Sequence, residues 1–146
     1  MRMPSYTRRT FAFLFPTLVS AQQTSRNAND GELLPTKVVP FDQLTSRQSG
    51  SMKAYQILKG STHSGFLLDV HETELAPGGV PHPPHSHAHE EMLFVREGEV
   101  EFIQRGRTTL LGPGSCAYIA SNELHGYRNP GAAPAKYFVM ALGNDQ

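Results

Sequence analysis

Tryptophan is absent from the chain, and cysteine occurs once, at Cys116. A single cysteine excludes an internal disulfide framework and a zinc site built from several thiolates. Its place in an apolar run after Gly114 predicts a buried, inert thiol. Net charge is also missing: 13 Lys and Arg balance 13 Asp and Glu. No basic stripe is left over, so nothing points to a nucleic-acid surface. No stretch carries a sustained 3.6-residue apolar period, which excludes a long amphipathic helix. No apolar run reaches the roughly 20 residues that cross a bilayer.

What is present is punctuation. Thirteen glycines and 11 prolines divide 146 residues, a length that suits one domain. Short β-rich runs fall between them: 37–44, 52–58, 65–75, 92–96, 99–104, 108–111, 115–120, 125–129 and 135–142. Many short strands at regular spacing predict an all-β antiparallel sandwich or barrel. Alternate side chains of such strands point inward and can line a cavity.

The first residues read as a leader. Arg2, Arg8 and Arg9 precede an apolar stretch from Phe11 to Val19, closed by Val19-Ser20-Ala21. A charged segment, a short apolar core and small residues form a signal peptide over 1–21. Thr7-Arg8-Arg9-Thr10-Phe11 further resembles a twin-arginine export signal, with the general secretory route as the alternative. Export predicts a periplasmic or secreted protein with no membrane attachment after cleavage. Cleavage after Ala21 leaves ten basic residues against 13 acidic ones. Residues 22–33 are mostly polar and read as a flexible spacer, leaving 34–146 as the folded domain.

Four of the seven histidines, His82, His85, His87 and His89, crowd into eight positions, and Glu90 and Glu91 follow. On an extended strand His85, His87 and Glu91 share one face. His82 precedes Pro83-Pro84 and belongs to a loop; Glu90 points away, and His89 shares the parity but is assigned to the rim. Imidazole and carboxylate donors on one face suit divalent first-row metals. His125, which begins a later strand, is the natural fourth donor. Taken alone, the cluster also fits a solvated histidine loop or a pH-sensitive patch.

A resemblance narrows this. Gly79, His85, His87, Glu91 and Gly98 match the first motif of the cupin superfamily at every fixed position. Gly114, His125 and Asn129 match the second motif, with Ala120 in place of its Pro and Asn122 in place of its Gly. Asn tolerates the left-handed backbone of a turn glycine, so Asn122 can substitute. The resemblance covers roughly residues 67–142. It implies a double-stranded β-helix, a small jelly-roll barrel, with one metal held by His85, His87, Glu91 and His125. Mn or Fe is favoured, while Zn, Ni, Co and Cu suit the same donors. Cupins commonly dimerise, and an outward Phe94 face permits a homodimer.

Parity from Glu91 sends Leu93 and Val95 inward and Met92 and Phe94 outward. Val100, Phe102 and Gln104 point in, because Glu99 and Glu101 need water. Phe102, Gln104 and Tyr127 are therefore candidate substrate contacts. For Tyr127 a plain core role is the alternative, and for Gln104 a hydrogen bond to a metal ligand or a strand-end polar group. His71 reads as a partly buried strand histidine and His63 as a solvated turn residue. Arg96, Arg105, Arg107 and Arg128 fall at strand ends or outward positions, so the cavity is expected to take a largely neutral small molecule. The implied function is an exported metalloenzyme of dioxygenase, decarboxylase or isomerase type, with Glu91 as base. The alternative is a non-catalytic small-molecule binder.

Overall fold

The computed structural model describes residues 31–143, so the leader and residues 22–30 lie outside the described residues. Among the described residues nine strands are formed: β1 Ser46–Ser49, β2 Met52–Ser61, β3 Leu67–Leu75, β4 Glu90–Glu97, β5 Val100–Gln104, β6 Arg107–Leu111, β7 Cys116–Ile119, β8 His125–Arg128 and β9 Ala135–Leu142. They build a six-stranded sheet in the order β1-β2-β3-β9-β4-β7 and a three-stranded sheet in the order β6-β5-β8. Every strand pairing is antiparallel. This is the antiparallel β-sandwich that the strand spacing predicts, in the jelly-roll form that the cupin resemblance implies.

Alternation along each strand builds the core. Leu93 and Val95 are buried, whereas Met92 is only partly covered and Phe94 is 40% exposed. Inward residues of both sheets meet in one cluster of Leu75, Leu93, Val100, Ile119, Tyr137 and their neighbours. Each fully buried aliphatic or aromatic side chain contributes on the order of 1.5–3 kcal/mol of transfer free energy. The first motif's Gly79 marks a close approach: a Cβ there would lie 2.8 Å from the Ala76 carbonyl oxygen. Its own carbonyl accepts from the Asn129 N–H at 3.0 Å. The Asn129 side chain, fully buried, donates to the carbonyls of Leu75, Ala76 and Ala133 and accepts from the Gly131 N–H. The two motifs are thus tied together by backbone chemistry, independent of any metal.

Four sequence expectations are corrected. Residues 37–44 form no strand; Phe41–Gln43 is a single 3₁₀ turn and Val38 is 90% exposed. Pro35 and Pro40 bracket the segment and remove two N–H donors that a ladder would need. β1, all polar and exposed, has no counterpart among the expected runs; it is an edge strand that pairs with β2 in a hairpin. Cys116 is exposed, not buried. It lies opposite Phe94 on the outer face, while Ala117 and Ile119 take the inner one. Finally, β4 begins at Glu90, so His85 and His87 precede the strand that carries Glu91. Residues 31–34, at the end of the expected spacer, bond to Ser61: its N–H donates to the Glu32 carbonyl and its carbonyl accepts from the Leu34 N–H, both at 2.9 Å.

Candidate metal centre

Three segments position the histidines. Residues 82–89 form a loop that crosses β8, where His85 and His125 exchange two backbone hydrogen bonds of 3.0 Å. The rigid Pro83-Pro84 pair presses this loop onto β8, and a Cβ on Gly126 would meet the Pro84 ring at 3.2 Å. The Asn122 N–H donates to the His87 carbonyl at 2.7 Å. Asn122 adopts φ +62°, the left-handed conformation expected of a residue standing in for glycine.

The ring tautomers follow from the same backbone. His87 Nδ1–H donates to the His89 carbonyl at 2.8 Å, and His125 Nδ1–H donates to the Glu123 carbonyl at 2.9 Å. A carbonyl only accepts, so in the neutral rings each Nε2 carries a lone pair. Both Nε2 atoms are buried without a hydrogen-bond partner among the described residues. A buried polar atom left unpaired costs about 1–3 kcal/mol, which an ion or an ordered molecule at that point would offset.

The acceptor side is Glu91, buried at the start of β4. His87 Nε2 lies 3.4 Å from its Oε2, and His125 Nε2 lies 3.8 Å from its Oε1. His89 Nε2 is 3.9 Å from Oε2. Donor atoms of His85, His87 and His125 lie within 4.8 Å of one another, as do those of His87, His89 and Glu91. Donors around one ion at about 2.1 Å are separated by roughly 3 Å when adjacent and roughly 4.2 Å when opposite. Each group of three is therefore compact enough to hold one divalent ion, and the two groups share His87.

Of the sequence candidates, His85, His87, Glu91 and His125 come together. His89, assigned to the rim, comes with them: its ring stacks on His87 at 3.6 Å between centroids and 7° between planes. A bend at Ala88 and His89 precedes β4, so strand parity does not apply there. His82 is in a loop as expected, yet its ring packs edge-on against His85 at 4.1 Å. Glu90 is exposed. Burial is the largest influence on His85, followed by the neighbouring imidazoles of His82, His125 and His87; together they push its pKa down and favour the neutral ring. His71 is half-buried beside Asp69, and His63 is exposed with its Nε2 on the Leu34 carbonyl.

Tyr127 is buried, and its hydroxyl donates to Glu91 Oε1. Burial and the Glu91 charge push the phenol far above its ordinary pKa, so it stays a donor. Phe102 stacks on Tyr127 with 5.8 Å between ring centroids. Gln104 lies directly opposite His125. Arg107 falls at a strand end as expected, the exposed first residue of β6; the two-residue turn at Arg105-Gly106 sets it opposite Gln104, so both face the same side.

Residues 71–141 match a protein-family model described as the cupin domain. Over those residues, just under half of its length, the chain is similar to a cupin domain. No curated protein matches the chain. Among solved structures, the polyketide cyclase RemF from Streptomyces resistomycificus is similar at 24% identity and TM-score 0.63, covering 76% of this chain and 82% of that one. A predicted oxalate decarboxylase from Thermotoga maritima is similar at 18% identity and TM-score 0.63, covering 74% and 100%. A cupin domain of an XRE family transcriptional regulator from Enterobacter cloacae is similar at 22% identity and TM-score 0.53, covering 66% and 100%. These likenesses show the shared fold, which catalytic and non-catalytic proteins both use.

Proposed function

We propose that this cupin is an exported metalloenzyme that acts on a small organic molecule held at the His85, His87, Glu91 and His125 cluster. The observation that carries the reading is the pair of buried Nε2 atoms on His87 and His125. Their lone pairs converge on one carboxylate, and their tautomers are preset by backbone carbonyls. Such a second hydrogen bond is what orients histidine ligands in metal sites. The donor set, imidazoles with one carboxylate and no thiolate, favours Mn or Fe, with Zn, Ni, Co and Cu as further occupants.

A bound ion of this kind would polarise a substrate oxygen and give access to redox chemistry. The chain's own residues do the rest. Tyr127 fixes Glu91 Oε1, which leaves Oε2 turned toward His87. Glu91 is the proton acceptor of the site, close to any molecule that enters it. Leu93 and Ile119, beside and opposite Glu91, and Tyr137 are buried in the core. Oxidation of dioxygenase type is the first reaction class, with decarboxylation or isomerisation after it. A twin-arginine leader over 1–21 would deliver the protein folded, and the outer face bearing Phe94 would pair two copies.

The test is the metal content of untagged purified protein beside a His87→Ala variant. Near one equivalent of Mn or Fe in the parent and loss in the variant are expected, followed by oxygen uptake with small phenols or keto acids. No metal, or equal metal in both proteins, overturns the assignment. Metal without turnover favours the second reading, a non-catalytic module that binds a small molecule.

A further inference from the structure

We propose that the cleft on the inner face of β5 and β6 is a subsite for a carboxylate, so that the bound molecule is an organic acid with Arg107 as its counter-ion. The inference rests on the reading above only for what the other end of that molecule meets.

The cleft has a volume of about 560 Å³ and is lined by Phe102, Gln104, Arg105, Arg107 and Thr109. That is the size range of small-molecule sites. Strand register connects it to the histidines. Gln104 is opposite Arg107 on one side and opposite His125 on the other. Phe102 is likewise flanked by Thr109 and Tyr127. Directly opposed residues of an antiparallel pair share a face. Arg107, Gln104 and His125 therefore form one row across the sheet. At about 4.8 Å per strand, the row places the Arg107 and His125 backbones roughly 10 Å apart. A ligand with one ring between two polar ends fits that span.

Charge selects the sign of the far end. Arg105 is already engaged, with Nε and Nη2 on the two carboxylate oxygens of Glu123 at 2.6 and 2.8 Å. The negative charge of Glu123 is thereby neutralised at the cleft rim. The Arg107 guanidinium has no ion-pair or hydrogen-bond partner among the described residues. A guanidinium matches a carboxylate in a two-point fork, which a neutral amide cannot accept as well. Phe102 offers an apolar wall for the ring beside it. The cleft is open, so the attraction is screened by salt.

The experiment is calorimetric titration of the purified full protein with two probe pairs: 3,4-dihydroxybenzoate against 3,4-dihydroxybenzamide, and benzoate against benzamide. At low ionic strength each acid is expected to bind roughly tenfold more tightly than its amide. Arg107→Gln abolishes that preference, Arg107→Lys keeps part of it, and both retain the parent's metal content and melting temperature. Raising the salt concentration narrows the preference in the parent only. Equal affinity for acid and amide, absence of binding by all four probes, or a preference that survives Arg107→Gln overturns the proposal. The second pair has no diol to chelate a metal, so His87→Ala leaves its preference intact. Failure of the metal reading would appear as missing metal with the benzoate preference preserved. Failure of the subsite would appear as metal present and no preference.

Discussion

Replacing Tyr127 by Phe tests whether Glu91 is held in place by the protein or by what it binds. The substitution removes one oxygen and keeps the ring that packs against Phe102 and Tyr137. Glu91 Oε1 then loses the hydroxyl that donates to it inside the core. A hydrogen bond to a charged group contributes about 1.5–3 kcal/mol. The metal-free protein is therefore expected to lose on the order of 2 kcal/mol in urea unfolding. A released carboxylate also samples orientations that point away from His87 and His125. Loss of a group that orients a metal ligand typically weakens metal affinity about 10–100-fold. Competition with a fluorescent chelator measures this directly, in parallel with urea unfolding of the metal-free form. A variant that loses stability yet binds metal within about threefold of the parent would refute the reasoning. Tyr127 would then be a packing residue, and Glu91 would be positioned by its strand alone.

Two further outcomes are expected. Burial opposes ionisation of Asp69, but hydrogen bonds from His71 and Gln56 and the Lys59 ammonium outweigh it and hold the carboxyl well below its ordinary 3.8. Because the folded value is depressed, this contribution is complete above about pH 4 and fades as pH falls through the folded value. The urea midpoint difference between parent and Asp69→Asn should thus shrink from about pH 6 to about pH 2.5; a constant difference refutes it. At Asn122, φ +62° costs a residue with a plain Cβ about 1–2 kcal/mol. Thermal unfolding should place Asn122→Ala below the parent and Asn122→Gly near it, and equal melting of all three refutes the turn argument.

The site is more legible in the sequence than the chain around it. Fixed motif spacing identifies His85, His87, Glu91 and His125 without knowledge of the backbone, and a chain path shaped around Gly79, Gly98 and Asn129 brings them together. Parity also works inside β4, where Glu91, Leu93 and Val95 alternate with Met92 and Phe94. It fails wherever the chain is not a strand. His89 lies in a bend, so its shared parity with His87 neither places nor excludes it. β1 is invisible because its four exposed polar residues carry no apolar alternation. Cys116 misleads because an apolar run does not reveal which of its members faces in; the pairing of Ala117 with Leu93 does.

Arg107 is the instructive case, because its placement is written in the chain. Two short runs separated by Arg105-Gly106 signal a two-residue hairpin, and both turn residues adopt positive φ, 49° and 71°, as that turn requires. A two-residue turn pairs the residues on either side of it, so Gln104 must oppose Arg107 and share its face. Counting parity forward from Gln104 through the turn gives the wrong answer, since the odd offset of three suggests opposite faces. In an antiparallel sheet the cross-strand partner decides which side chains share a cavity, and the turn length decides the partner. Applied to the amino-acid sequence alone, that rule places a guanidinium two strands from His125, the placement on which the proposal of an acid ligand rests.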